Sequence, residues 1–131
     1  MKELNINNLN EDPNLQVKGV YKLFLYEGGK PISISRFLDK DQTGLVYIGA
    51  TEKRDLAYRL KCFLGSKNHL TKQNNHSGGF KIAKNTKLIE ITTKLIFKYE
   101  VIPVLNDAKE EERKQLKNYI DHFGEVPPLN G

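Results

Sequence analysis

Glu112 is the residue whose type and position most strongly indicate chemistry. The sequence predicts a helix over residues 107–123. The apolar face of that helix consists of Ala108, Leu116, Tyr119, Ile120 and Phe123. Glu112 falls in the middle of this face, whereas Glu110 and Glu111 point away from it at about 100° per residue. A carboxylate there is costly unless it is paired, hydrogen-bonded or bound to a metal. Glu112 therefore either reaches solvent or a core lysine, or belongs to a site.

Two tyrosines lie in short segments that have the composition of neighbouring strands. Tyr21 ends a Gly-Val-Tyr at residues 19–21, and Tyr47 begins a Tyr-Ile-Gly at residues 47–49. A tyrosine in such a segment is typically a core or edge residue. Each tripeptide alone therefore predicts little about function.

Basic residues are concentrated in the middle of the chain. Residues 51–99 carry 11 Lys and Arg against 3 Asp and Glu, a net charge of +8, whereas the whole chain has +5. Because lysines that neutralise phosphates release counterions, this segment favours nucleic acid as a partner. The alternative is a solvated surface without a polyanion partner. The predicted DNA contacts are Lys61, Lys67, Lys72, Lys81 and Lys84.

Composition narrows the class of protein. The length of 131 residues predicts one domain, over 16–131, and the polar, Asn-rich composition of residues 1–15 predicts a flexible arm before it. The single cysteine, Cys62, excludes an intrachain disulfide and a cysteine-rich zinc site. No apolar run is long enough to span a membrane, and the first residues do not resemble a signal peptide. These features predict a cytoplasmic protein, microbial or phage-encoded, with no membrane partner.

Local patterns predict the elements that position these residues. Apolar–polar alternation and short apolar runs predict strands over residues 16–27, 31–38, 45–51 and 94–104. Pro31 restricts the second of these to a sheet edge. Helical spacing predicts helices over 53–64, 80–85 and 107–123, while residues 87–93 fit either type.

Capping residues mark the ends of the two longer predicted helices. Thr51 is the expected N-cap of the first, which ends at Gly65, and Asn106 or Asp107 caps the second. The order of elements predicts an α+β fold. Its small, mostly antiparallel sheet has three core strands and an extra edge strand, and helices flank it.

Five motifs in this order resemble the GIY-YIG nuclease family. They are the Gly-Val-Tyr and the Tyr-Ile-Gly, the "DLAYRL" that contains Arg59, the "EERKQLK" that contains Glu112, and the "PPLNG" that contains Asn130. The resemblance covers about residues 19–131. It implies the family fold, a three-stranded antiparallel sheet with flanking helices, and the activity of an endonuclease.

The resemblance also implies a role for each matching residue. Tyr21 and Tyr47 would face the scissile phosphate, and one of them, or a water that it holds, would handle the proton of the nucleophile. Arg59 would contact that phosphate. Glu112 would hold one Mg²⁺ or Mn²⁺ per site, and Asn130 would orient a phosphate or a neighbouring side chain.

Further candidates follow from the needs of this chemistry. A tyrosine with a pKa near 10 needs nearby cations to act as a base, and Lys53 and Arg54 are candidates. His76 is a candidate relay, although a histidine in a polar loop is typically a surface residue. Glu111 is the alternative to Glu112 as the metal carboxylate.

The chain departs from the family pattern in several places. Phe63 occupies the position of a family histidine, and Ala50 that of a family lysine. The long segment over residues 28–44 separates the two tyrosines, and it is predicted to be a substrate-specific loop in which Lys30 and Arg36 contact phosphate.

Two functions follow from the sequence. The first is a metal-dependent DNA endonuclease that hydrolyses a phosphodiester bond, in which a double-strand cut requires a homodimer or two successive nicks. The alternative is a catalytically inactive nucleic-acid-binding module on the same fold.

Overall fold

The computed structural model of the chain describes residues 1–68 and 76–131. The elements in chain order are β1 (Lys2–Glu3), α1 (Ile6–Glu11), β2 (Gly19–Glu27), β3 (Lys30–Pro31), β4 (Ile34–Ser35), β5 (Lys40–Asp41), β6 (Leu45–Thr51), α2 (Leu56–Asn68), α3 (Ser77–Ala83), α4 (Thr86–Thr93), β7 (Ile96–Pro103) and α5 (Ala108–Phe123). None of the helices in these two ranges is long and apolar enough to cross a membrane.

Strand β2 is the centre of the main sheet. It pairs antiparallel with β6 on one side and with β7 on the other, so that Tyr21 lies opposite Gly49 and Val101. β1 extends the sheet beyond β7. This arrangement confirms the predicted α+β fold with a mostly antiparallel sheet. The edge strand predicted over 31–38 is instead two short strands. β3 pairs with β2, and β4 pairs with β5. The ladder stops at Pro31 because proline has no N–H to donate to it.

Both faces of β2 are covered, which explains its almost continuous apolar sequence. Tyr21 and Leu23 point into a core that they share with Phe63 of α2. The alternate residue Val20 points to the other face, where it packs with Tyr119 of α5. The tyrosine face and helix α5 are therefore on opposite sides of the sheet. A residue of α5 can act on Tyr21 only through the sheet or around its edge.

The first residues of the chain are packed, in contrast to the flexible arm predicted for 1–15. β1 pairs with β7, and Leu4, Leu9 and Leu15 are buried in the main core. Buried Asp12 accepts a hydrogen bond from the hydroxyl of Tyr99 at 2.8 Å. The prediction was wrong because three leucines spaced five or six residues apart match neither the helical nor the strand period.

Helix α2 begins at Leu56, later than the predicted start at residue 53. Asp55 provides the cap, since its Oδ1 accepts from the Tyr58 N–H at 2.9 Å. Thr51 is the last residue of β6, and its hydroxyl donates to the Arg54 carbonyl at 2.6 Å. The helix also continues past Gly65, which is one of its interior residues.

The remaining helices follow the predictions more closely. α3 covers residues 77–83 rather than 80–85, and the ambiguous residues 87–93 are part of α4, which Asn85 caps. Asp107 caps α5 as predicted, by accepting from the Glu110 N–H. Gly124 follows α5 with a φ of 83°, the left-handed conformation that glycine favours at a helix end.

The segment between β2 and β6 packs against the C-terminal end of α5. Arg36 forms an ion pair with Glu125 at 3.1 Å and donates to the Val126 carbonyl at 3.0 Å. Buried Asp41 accepts a hydrogen bond from the Tyr119 hydroxyl at 2.7 Å. The guanidinium of Arg36, predicted to contact phosphate, therefore stabilises the fold in this structure.

Candidate active site

Tyr21 and Tyr47 lie side by side on one face of the sheet. Their ring centroids are 6.0 Å apart. Gly49, which lies opposite Tyr21, provides the space for this arrangement. A Cβ added to Gly49 would lie 2.4 Å from Tyr21 Cζ and 2.8 Å from Tyr47 Cε1. The Tyr-Ile-Gly tripeptide is thus explained by geometry, because residue 49 faces the same side as residue 47.

We expect Gly49→Ala to lower the free energy of unfolding by about 1–3 kcal/mol, because the added methyl group overlaps the Tyr21 ring. Urea unfolding of the variant measures this effect. The control is the same substitution in a Tyr21→Ala background, where the ring is absent and the cost falls. An equal cost in both backgrounds would show that the ring contact is not its cause.

His76 is fully buried beside Tyr21, which corrects its prediction as a surface residue. Its Nδ1 caps α3 by accepting the N–H groups of Gly78 at 3.1 Å and Gly79 at 3.3 Å. Its Nε2 lies 2.8 Å from the hydroxyl oxygen of Tyr21. Because Nδ1 is an acceptor, the neutral ring carries its hydrogen on Nε2 and donates it to Tyr21.

The two glycines that follow His76 allow it to be buried. A Cβ on Gly78 would lie 3.0 Å from Tyr47 Cδ2, and one on Gly79 would lie 2.7 Å from Ser66 Cβ. α3 therefore approaches both the tyrosines and α2 closely. The Gly-Gly pair was the local signal that could have indicated a buried histidine.

The site holds a neutral imidazole and a neutral phenol at neutral pH. Burial lowers the pKa of His76 to about 3, and the nearby Arg59 guanidinium adds to this effect. Burial, together with Tyr47, raises the pKa of Tyr21 well above its ordinary value, and Arg59 offsets only part of that rise. The phenolic oxygen accepts from both His76 and Arg59, so the hydrogen of the phenol remains for another acceptor.

His76 should give protein stability a specific pH dependence. The pKa of His76 is about 3 in the folded protein against an ordinary histidine value of 6.5, so below pH 6.5 the unfolded chain binds a proton that the folded protein does not. Stability is therefore lost as the pH falls from about 6.5 toward 3, by up to about 1.4 kcal/mol per pH unit. His76→Asn keeps a capping acceptor and should lose less stability than wild type between pH 6.5 and 4, as measured by urea unfolding. Equal losses of stability with falling pH in the wild type and in His76→Asn would contradict the assignment of this pH dependence to His76.

Arg59 is the predicted site cation that the structure brings to Tyr21. It lies half-buried on α2, and a side-chain hydrogen bond joins it to Tyr21. The other predicted cations are less enclosed. Lys53 is exposed, and exposed Arg54 lies over the Tyr58 ring, 3.9 Å from its centroid.

Glu112 belongs to the helix on the face of the sheet opposite Tyr21. Burial is the main cause of the raised pKa of Tyr21, Tyr47 follows, and the charge of the Glu112 carboxylate adds a smaller rise. The side chain is 19% exposed, and exposed Lys109 lies 3.8 Å away, at the long end of ion-pair distances. Glu111 instead accepts a hydrogen bond from Gln115 at 3.0 Å. The carboxylate of Glu111 thus has a hydrogen-bond partner on its own helix, and the choice of Glu112 as the metal carboxylate stays a prediction.

Asn130 attaches the C-terminal segment to the outer edge of β6. Its Oδ1 accepts from the Ile48 N–H and its Nδ2 donates to the Ile48 carbonyl, both at 2.9 Å. The Leu129 N–H donates to the Val46 carbonyl at 2.9 Å. The Asn130 amide thus bonds to the residue after Tyr47, and the Leu129 N–H bonds to the residue before it. In this geometry Asn130 holds the backbone of β6 beside Tyr47, and its predicted role of orienting a phosphate or a neighbouring side chain stays a prediction.

The lysines predicted to contact DNA lie on more than one surface. Lys67 lines a groove toward β1 and β7, and burial lowers its pKa. Lys81 and Lys84 line a different groove, which begins at Ser77. Lys61 is half-buried on α2. Lys72 lies outside the described residues.

The carboxylate of Glu112 is the donor that this site offers to a metal. In the part of the chain that the structure describes, no group of three or more His, Cys, Asp and Glu lies close enough together to hold an ion. This donor set does not fit zinc, which takes three or four protein ligands. It fits magnesium, which commonly takes one or two carboxylates and completes its shell with water and phosphate oxygens.

Three comparisons with known proteins gave no match: no family model, no curated protein and no solved structure matches the chain. The function of this chain is therefore inferred from its own residues.

Proposed function

We propose that this chain is a metal-dependent endonuclease that hydrolyses a phosphodiester bond of DNA. The observation that carries the proposal is the set of groups around the Tyr21 hydroxyl. His76 and Arg59 are hydrogen-bonded to it, and the charge of Glu112 acts on it. These residues come from separate elements, and a buried phenol whose pKa is raised, placed beside a half-buried guanidinium, is typical of a functional site. The resemblance to GIY-YIG nucleases supports the same activity.

Arg59 would bind the scissile phosphate. Its planar guanidinium can donate two parallel hydrogen bonds to phosphate oxygens, and such bonds strengthen as negative charge develops in the transition state. The hydrogen bond to Tyr21 fixes the guanidinium beside the phenol. Arg59 and Tyr21 would therefore act on the same phosphate.

The two tyrosines would have different roles. Tyr21 already accepts two hydrogen bonds, so its own hydrogen would bind an oxygen of the phosphate. The contact of the Tyr47 hydroxyl with Ser77 Oγ is long, at 3.4 Å. We propose that this hydroxyl binds the water that attacks the phosphorus. Attack by water forms one P–O bond and breaks another. The water oxygen stays on phosphorus, which becomes a phosphate monoester at one end of the strand, and in the overall reaction a proton of the water goes to the leaving oxygen, which becomes the hydroxyl of the other end.

Glu112 would hold one Mg²⁺ or Mn²⁺, which when bound stabilises the charge on the phosphate and the leaving oxygen. A single protein carboxylate binds such an ion weakly, so DNA phosphate is expected to complete the site. One site cuts one strand. A homodimer or two successive nicks would produce a double-strand break.

Nicking of supercoiled plasmid tests the proposal. We expect conversion to the open circular form with magnesium or manganese and none with EDTA. Absence of metal-dependent nicking on supercoiled, branched and single-stranded DNA would overturn the assignment as an enzyme. Salt-dependent DNA binding without nicking would instead support the alternative, a nucleic-acid-binding module.

A further inference from the structure

An open groove next to the tyrosines has no role in the proposed hydrolysis. Its volume is about 470 Å³, and its lining includes Ser77, Phe80, Lys81, Lys84 and Asn85. Ser77 connects the groove to the site, because its Oγ lies 3.4 Å from the hydroxyl of Tyr47. A molecule that occupies the groove therefore lies beside whatever Tyr47 binds.

The described lining combines an aromatic ring with positive charge. Phe80 is half-buried, and it is the aromatic residue among those named in the lining of the groove. The ammonium group of Lys84 lies 5.7 Å from the centroid of that ring. Lys81 also lines the groove, and its ammonium group donates to the Gly131 carbonyl. The residues named in this lining include no carboxylate, and an anion carrying a flat apolar group complements such a surface.

We propose that the groove binds an unpaired nucleobase of the DNA strand next to the scissile phosphate. The base would stack on Phe80, and the phosphates that flank it would lie against Lys81 and Lys84. Stacking on an aromatic side chain beside lysines is a common way to bind a strand without reading its sequence. This inference rests on the proposed function for the identity of the substrate as DNA.

An unpaired base has a consequence for the substrate class. A base inside an intact duplex is stacked between its neighbours and reaches a side groove only after unpairing, which costs free energy. The preferred substrate is therefore DNA that already contains an unpaired nucleotide, such as a bulge or a flap, next to the position of cleavage.

Binding to two matched oligonucleotides tests the inference. One is a fully paired duplex, and the other carries a single-nucleotide bulge in which the extra base is 2-aminopurine, whose fluorescence falls on stacking. Both are titrated with the Glu112→Gln protein in EDTA, so that no cleavage occurs. We expect tighter binding of the bulged DNA together with quenching of its fluorescence.

Variants of Phe80 separate stacking from general affinity. Phe80→Ala should weaken binding of the bulged DNA by about 5- to 150-fold and leave the paired duplex unchanged. Phe80→Tyr keeps the ring and should behave as the parent. Lys84→Gln should weaken both DNAs to a similar extent, because it removes a phosphate contact. Circular dichroism shows that each variant is folded before it is used.

The outcomes distinguish the two proposals. Equal effects of Phe80→Ala on the two DNAs, or no effect on either, would overturn the stacking groove while leaving metal-dependent nicking intact. If the proposed nuclease activity is wrong but the groove binds a base, the protein will not nick DNA, and its binding to the bulged DNA will still depend on Phe80.

Discussion

Glu112→Gln is expected to reduce metal-dependent nicking by on the order of 10³-fold while DNA binding is retained. The substitution keeps the shape of the side chain but removes the negative charge that a divalent cation requires. A metal ion contributes several kcal/mol to the stabilisation of transition-state charge, and every 1.36 kcal/mol corresponds to a factor of ten in rate. Single-turnover nicking at saturating protein measures the rate, and filter binding in EDTA measures the affinity.

Glu111→Gln is the matched control for this experiment. Glu111 lies one residue earlier on the same helix, and its carboxylate accepts a hydrogen bond from Gln115. Gln at position 111 changes the net charge of the protein by the same amount as Gln at position 112. We therefore expect nearly full activity. Equal losses in the two variants would mean that the rate responds to overall charge rather than to a metal ligand at Glu112.

Tyr21→Phe is expected to lower the rate of nicking by about 10²- to 10³-fold, the typical effect of removing one positioned hydrogen-bond donor from a site of this kind. The ring remains, so its packing across Gly49 is unchanged. Only the hydroxyl that accepts from His76 and Arg59 is lost. The expected loss is in the rate at saturating DNA rather than in affinity.

The same substitution should also lower the free energy of unfolding, by about 1–3 kcal/mol, because the N–H of buried His76 loses its acceptor. Tyr47→Phe is the comparison, since within residues 1–68 and 76–131 the hydrogen-bond contact of the Tyr47 hydroxyl is a long one, 3.4 Å to Ser77 Oγ. It should leave stability almost unchanged. Full activity of Tyr21→Phe would exclude the hydroxyl from the reaction, and unchanged stability would contradict the hydrogen bond from His76.

The imidazole of His76 is buried and neutral, and it is held in place by hydrogen bonds on both of its nitrogen atoms. His76 is held from one side by the N–H groups of α3 and contacts Tyr21 on the other side. An imidazole with its pKa near 3 is a poor relay for protons at neutral pH. We therefore infer that it orients Tyr21, which differs from the relay role expected from the sequence.

Local patterns were sufficient to predict much of the fold. The three long strands are alternating or short continuous apolar segments, α5 has an apolar face with a period of 3.6 residues, and Asp107 caps α5 as predicted. The phase of α5 also identified Glu112, because helical periodicity fixes which residues share a face. These features depend on residues close together in the chain, and for that reason the sequence alone determined them.

The tertiary structure decided the features that depend on distant residues. Asn130 pairs with the backbone of Ile48, 82 positions away, and His76 contacts Tyr21, 55 positions away. The packing of residues 1–15 depends in the same way on β7 and α2. No local period or cap encodes these contacts, because they form only when separate elements bury their apolar faces against each other. The sequence by itself determined which residues could do chemistry, and the packing of the elements decided which of them meet.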